Sequence, residues 1–306
     1  MPLVSVIIPT YNRAAYIAEA IRSVLAQTYH SVEIIVADDG STDNTAEVVA
    51  GLGDAVTYVS LPHRGQPAAT RNGGLRVARG EFIAFLDSDD LFFPDKLATQ
   101  LAGFEAHPEA GLVYSNAYFF RDEPSQPTVH ALDGLPSPSG DVFADLLRGN
   151  FLAPQAVLMR RACLQAVGVF DENPDFFAVE DYDLFLRVAA MFPVIYVPGD
   201  VAAMRRHNQS ISRDAVNLRL RFVLVLEKME ALYPDLVRQH RAALNEGYAR
   251  NHGAVALGRL GQHQVLPALG HLLQAFRYSL RTPGYGTRAF LQWVRRRRVR
   301  GKGAMA

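Results

Sequence analysis

Cysteine occurs once in 306 residues, at Cys163, so no disulfide can close within the chain and no cysteine cluster can bind a metal. A catalytic thiol is not expected from it, and so sparse a use of cysteine is compatible with a reducing cytoplasm. Tryptophan also occurs once, at Trp293. No stretch approaches the roughly 18 consecutive apolar residues that a bilayer span needs. The opening MPLVSVIIPTYNR has no basic region ahead of its apolar run, which argues against a secretory signal and for a first strand. Acidic residues stop at Glu246, and beyond it stand eleven Arg and Lys residues, with Arg295 to Arg298 in a row. The formal net charge is zero, so the chain before that point carries an equal acidic excess, and the two ends suit different partners. No nucleic-acid module accompanies the basic residues, so a nucleic acid is not expected among the partners.

What remains is the composition of a soluble enzyme: 49% hydrophobic and 20% charged, with length for about two domains. The most informative stretch is EFIAFLDSDD, Glu81 to Asp90. Its apolar half has the length of a buried strand, and it runs straight into three carboxylates, Asp87, Asp89 and Asp90. In extended chain Asp87 and Asp89 would share a face while Ser88 points away. Two hard oxygen ligands on one side fit a divalent cation such as Mg²⁺ or Mn²⁺ with phosphates completing its shell. An acidic turn, with Asp87 or Ser88 capping a following helix, would carry the same residues.

The rest of the first half alternates strand and helix. Apolar runs at residues 3–9, 32–37, 56–61 and 81–86 predict strands, and periodic segments at 14–28, around Val48 and Val49, and within 65–78 predict helices. That alternation predicts an α/β fold with a mainly parallel sheet and right-handed crossovers, whose ligands lie outside the carboxyl ends of the strands. The polar clusters Thr10 to Arg13, Asp38 to Ser41 and Asp87 to Asp90 all fall at such ends, so three separate stretches are expected to meet in one crevice.

SVIIPTYNR, VEIIVADDGSTDNT, TRNGGLRVARGEFIAFLDSDD and the later VEDYDLFLR together resemble the family 2 glycosyltransferases, over about residues 3 to 212. The resemblance implies a GT-A fold, Rossmann-like with flanking helices and a C-terminal helical extension, and an inverting enzyme that uses a nucleotide sugar. It implies a nucleotide-binding half at residues 1–90, an acceptor-binding half at 91–212, and a helical extension at 213–306. By the same resemblance Pro9, Thr10, Tyr11 and Arg13 line the nucleotide site, and Asp39 accepts a hydrogen bond from the base. A carboxylate cannot donate, which suits the imide N–H of uracil or thymine and points to a UDP-sugar. Arg71, Asp87 and Ser88 are implied near the nucleotide, and Asp89 and His207 as metal ligands for Mn²⁺ or Mg²⁺. Asp181 is implied as the catalytic base, with Glu180 supporting it or touching the acceptor. Thr70 and Val179 depart from the pattern, which often has Ala and an aromatic residue there.

The chemistry explains why two acidic centres are needed. A sugar hydroxyl is a poor nucleophile until a positioned carboxylate takes its proton, and the leaving diphosphate gains charge that a cation would stabilise. The acids at 180–183 would equally favour the positive end of the helix that follows them. A sugar-phosphate nucleotidyltransferase, or a nonenzymatic nucleotide-sugar binding protein, would share the nucleotide features. Expected partners are a saccharide or lipid-linked saccharide acceptor in bacterial polysaccharide or glycolipid assembly.

Elsewhere, helix is expected at 94–106, a strand at 111–119, a Pro-rich loop at 122–140, and short strands at 195–197 and 201–204. The aromatic segments at 151–154 and 170–177 could shape a sugar pocket or simply fill core. Helices are expected through 213–298, with one apolar stripe at Leu218, Phe222, Leu226 and Met229 and another at Leu266, Leu269, Leu272, Leu273 and Phe276. Phe290 to Val294 followed by the arginine run suits an interfacial helix or polybasic anchor on the anionic inner face of the plasma membrane, and a disordered or oligomer-forming tail would carry the same residues.

Overall fold

The computed structural model describes residues 1–121, 123–206 and 214–282. Strands β1 (Val4–Thr10), β2 (Val32–Asp38), β3 (Val56–Ser60) and β4 (Phe82–Phe85) alternate with helices α1 (Ile17–Leu25), α2 (Thr45–Ala50) and α3 (Pro67–Leu75). After β5 (Leu91–Phe92) come α4 (Lys96–Ala106), β6 (Leu112–Phe120), β7 (Val129–His130) and α5 (Phe143–Arg148). Then follow β8 (Val157–Arg160), α6 (Arg161–Val167), α7 (Glu180–Ala189) and β9 (Val194–Arg205). Helices α8 (Ala215–Leu232), α9 (Pro234–Gln239), α10 (Arg241–Gly261) and α11 (Val265–Leu280) complete the described chain.

All the strands join one sheet in the order β3-β2-β1-β4-β8-β6-β9-β5, with β7 against β6. The first four pair in parallel, as do β6 and β9, while β8, β7 and β5 add short antiparallel pairings. Because β1 and β4 are nearly all apolar, both of their faces can be covered, as a parallel sheet requires. Ile17, Ala20, Ile21 and Val24 of α1 pack with Val4, Val6 and Ile8 in one apolar core. The chain leaves β1 toward β2 and β3, then crosses back through α3 to β4 on the other side of β1. This reversal opens a crevice at the carboxyl ends of β1 and β4, where ligands of such sheets bind.

The expected strands and helices of the first half are all present. Five later elements, β5, β7, α5, β8 and α6, go beyond the sequence expectation, β7 lying within the stretch expected to be a loop. The apolar run of β8, Val157 to Met159, is too short for periodicity to separate strand from helix. Two expected short strands at 195–197 and 201–204 are instead one strand, β9. Pro198 and Gly199, which read as a break, lie in an irregularity where register with β6 shifts between Tyr114 and Asn116.

By packing the chain divides into two units. The first holds the whole sheet, and the second gathers Leu132–Ser137 and Val142–Phe151 with the C-terminal helices. Within the second, Gly247 lets α10 lie directly on α5, since a Cβ there would stand 2.1 Å from the carbonyl oxygen of Leu147. Arg148 Nε meets Glu246 at 3.0 Å, and Arg250 donates to the carbonyl of Arg148 at 3.2 Å. The stripe on α8 is partly inward, with Leu226 and Met229 buried, whereas the leucines of α11 face solvent.

Candidate active site

Strand β1 ends in Thr10, whose carbonyl accepts the N–H of Asp39 at 2.9 Å, so the two polar clusters after β1 and β2 are stitched side by side. Asn12 completes the seam from a left-handed conformation, φ 50°. Its side-chain oxygen accepts the N–H groups of Thr42 and Asp43 at 2.8 and 3.3 Å, and its own N–H donates to Ser41 Oγ at 2.8 Å. After glycine, asparagine and aspartate tolerate this backbone better than most residues. Asn12→Ala is expected to cost about 1–3 kcal/mol through lost bonds and strain, read as a lower urea midpoint with unchanged slope.

Asp38 is fully buried and structural: it accepts from Ser41 N at 2.7 Å and from the Tyr58 hydroxyl at 2.6 Å. Asp39 accepts backbone N–H groups from Arg64 at 2.9 Å and Gly65 at 2.8 Å. His63 Nδ1 lies 2.8 Å from the Asp39 carbonyl and 2.9 Å from its carboxylate. Both are acceptors, so Nδ1 must carry the hydrogen. The His63 ring stacks on Tyr11, centroids 4.2 Å apart and planes at 19°, giving an aromatic pair beside the Asp39 carboxylate. Pro9 pairs across the sheet with Ala37, and the buried Thr10 hydroxyl has no partner among the described residues.

The stretch after β4 departs from the extended geometry expected of it. The chain turns at once, with Asp90 N bonded to Asp87 O at 3.0 Å, and α4 begins only at Lys96. Neither Asp87 nor Ser88 caps that helix, and Asp87 and Asp90 are held in the turn by donors from distant segments, one of which, Gln155, serves both. Asp87 accepts from Arg71 at 2.9 Å and from Gln155 at 2.7 Å. Asp90 accepts from Gln155 at 2.6 Å and from the backbone N–H of Arg205 at 2.7 Å. Asp89 stands 3.9 Å from Arg13 Nε, and Ser88 is buried. Burial first, then the charges of Asp87 and Asp89, push the pKa of Asp90 well up.

Arg71 joins this cluster to the second acidic centre. Its Nη2 donates to Asp87 and its Nη1 to Glu180 Oε1 at 2.6 Å, while Phe170 lies under the guanidinium at 5.6 Å. Burial works against its charge, but Asp87, Glu180 and Asp181 prevail and its pKa rises. Glu180 and Asp181 open α7 just after Ala178, a non-glycine residue held at φ 65°. The other Glu180 oxygen is buried without a partner among the described residues, and Glu180 lines a groove with Gln66, Glu172, Pro174 and Phe177. Asp181 has its pKa pushed up to about 7 by burial first and Glu180 second, with Arg71 opposing. Asp183 belongs to the scaffold, receiving Nε and Nη2 of Arg187 at 3.0 and 2.8 Å.

The structure therefore brings Arg71, Asp87, Glu180 and Asp181 together, groups Tyr11 with Asp39, and sets Arg13 near Asp89. His207 and the arginine run at 295–298 lie outside the described residues. Sequence reasoning missed four residues: His63, Gln155, Asn12 as a seam, and Asn72, which grips Phe170 through both backbone groups at 2.9 and 3.1 Å. Their partners lie far along the chain, so no local pattern marks them. Among the described residues no three His, Cys, Asp or Glu side chains form a complete metal shell. A Mg²⁺- or Mn²⁺-type site asks less of the protein, one or two carboxylates plus phosphate oxygens. The mutually repelling acids at 87–90 are of the kind such a cation relieves.

With this geometry in view, residues 5–168 match the family model described as Glycosyl transferase family 2. The chain belongs to that family. An uncharacterized glycosyltransferase of Rickettsia typhi is 29% identical over 78% of this chain and 72% of its own length. One of Rickettsia conorii is 31% identical over 70% of this chain, but the match spans only 36% of that protein. Among solved structures, S. aureus TarS 1–349 in complex with UDP-GlcNAc superposes with a TM-score of 0.69 at 21% identity, covering 89% of this chain and 81% of that one. The mannosyltransferase PcManGT from Pyrobaculum calidifontis, in complex with GDP-Man and Mn²⁺, gives 0.61 at 23% identity, covering 96% and 85%. These likenesses establish the family's GT-A type fold. No described helix is long and apolar enough to cross a membrane.

Proposed function

We propose that this glycosyltransferase is inverting, takes its sugar from a UDP-sugar, and uses Asp181 as the base that deprotonates an acceptor hydroxyl. The observation that carries the reading is the Asp87–Arg71–Glu180 chain of charges, with Arg71 and Glu180 buried, which ties the acids after β4 to the acids opening α7, beside an Asp181 pushed up to about 7. In this reading the base of the nucleotide lies against Tyr11 and offers its imide N–H to Asp39. Asp39 already takes two backbone N–H groups and has His63 Nδ1 at 2.9 Å, but a carboxylate has about four lone-pair sites and can accept one more. The unpartnered Glu180 oxygen accepts from an acceptor hydroxyl in the groove, orienting it for Asp181. Asp181 takes the proton as the new bond forms and the diphosphate departs from the opposite face, which inverts the anomeric centre.

Mn²⁺ or Mg²⁺ on Asp89, completed by the donor's diphosphate and with His207 as the proposed second ligand, would stabilise charge on the leaving group. UDP-GlcNAc in TarS and GDP-Man with Mn²⁺ in PcManGT are consistent with a nucleotide-sugar donor and such a cation. The acceptor we propose is a saccharide or lipid-linked saccharide of bacterial polysaccharide or glycolipid assembly, handled on the cytoplasmic side.

The test is turnover of UDP, dTDP and GDP sugars with each metal. Metal-dependent release of UDP is the expected result. A guanine edge also offers donors to a carboxylate, so preference for a GDP sugar would overturn the donor assignment while leaving the Asp181 mechanism standing. Failure of any uridine or thymidine nucleotide to bind would remove Asp39 from the base site.

A further inference from the structure

Helix α11 carries an apolar stripe that nothing described covers. Leu266, Leu269, Leu273, Phe276 and Leu280 recur at alternating steps of three and four residues, which aligns them on one helix face. They are 81%, 48%, 70%, 62% and 69% exposed. The opposite face is fastened to α10: Ala268 is fully buried, Tyr278 stacks on Tyr248 at 4.7 Å, and His271 Nδ1 lies 3.0 Å from His252 Nδ1. The outward direction of the leucines is thus set by packing. A contiguous exposed stripe of this size on an otherwise well-buried protein marks an interaction surface.

The charges choose the occupant. Helix α11 contains no acid, and none occurs anywhere after Glu246. Arg277 and Arg281 are exposed beside the stripe, and seven further Arg and Lys residues follow in sequence. A second copy of this helix would bring only like charges to the seam, whereas helices that pair along such a stripe use opposite charges at its flanks. An anionic lipid surface supplies the missing sign. Sixteen residues give about 24 Å of helix, short of the roughly 30 Å hydrocarbon core, so the helix would lie along the surface and not span it.

We propose that the Leu266–Leu280 face of α11 docks flat on an anionic phospholipid surface, with its leucines at the acyl boundary and Arg277 and Arg281 against the headgroups. The proposal stands apart from the catalytic reading, because none of these residues belongs to the active site.

Flotation of the full chain with vesicles of phosphatidylcholine, alone or mixed with phosphatidylglycerol, tests it. The wild type is expected to float with the mixed vesicles and to be released by salt. Leu273→Gln/Phe276→Gln and Arg277→Gln/Arg281→Gln should each weaken binding roughly tenfold or more. Unchanged melting temperatures would exclude unfolding as the cause. Equal flotation of wild type and the Leu273→Gln/Phe276→Gln variant would overturn the proposal, as would equal binding to both vesicle types or none to either. A lipid-free dimer that this variant converts to monomer would assign the face to a second copy instead.

Discussion

Asp181→Asn is expected to lower kcat by on the order of 10²- to 10⁴-fold with nucleotide affinity retained, the loss typical of a missing general base. The amide keeps the size and most hydrogen bonds of the carboxylate but cannot accept a proton. The wild-type pH profile gives a second, independent reading. The pKa of Asp181 is raised to about 7, by burial and then by Glu180. A base works ionised, so kcat/KM should climb as pH approaches 7 from below and flatten above it. In Asp181→Asn that rising limb should vanish. Glu180→Gln removes the second cause of the shift, so the limb should move to lower pH, even if the rate itself falls through loss of an acceptor contact. An unchanged limb in Asp181→Asn would remove the residue from the role of base.

Much of this site could be read before any coordinates, for a reason visible in its layout. Parallel strands end at one edge of the sheet, so polar residues placed directly after apolar runs, Thr10 to Arg13 and Asp38 to Ser41, must be neighbours. The acids of 180–183 were legible as a helix start. What the sequence could not convey were contacts between distant segments. Gln155 follows a proline in an unremarkable stretch, yet its amide holds both Asp87 and Asp90. Its position depends in turn on α4, where Gln100 donates to the carbonyl of Ala156 and the buried Lys96 to that of Val157. The turn at Asp87 to Asp90 had the same origin. Extended geometry is the local expectation, and the donors brought by Arg71, Gln155 and Arg205 override it. Likewise, periodicity identified the α11 stripe but carries no sign for inward or outward, which only the packing of Tyr278 and His271 decides.

Arg71→Met should be the most destabilising single change in the catalytic unit, costing about 3–5 kcal/mol in urea or guanidinium unfolding. A buried ion pair contributes little net stability compared with a well-packed apolar pair, but removing one partner strands the other. Here the removal strands a Glu180 that is almost wholly buried with one oxygen already unpartnered, and takes one of its donors from Asp87, which keeps Gln155. Arg71→Lys should recover little, since the two terminal nitrogens of one planar fork reach different acids and a single ammonium on a flexible stem cannot reproduce that geometry. The decisive comparison is the double variant. If the cost comes from stranded charge, Arg71→Met/Glu180→Gln should be more stable than the sum of the single changes, because the second substitution removes a carboxylate the first left uncompensated. Strict additivity would mean that Arg71 stabilises through its packing on Phe170 alone. In that case the charged chain joining the two acidic centres would be a consequence of the fold and not its brace.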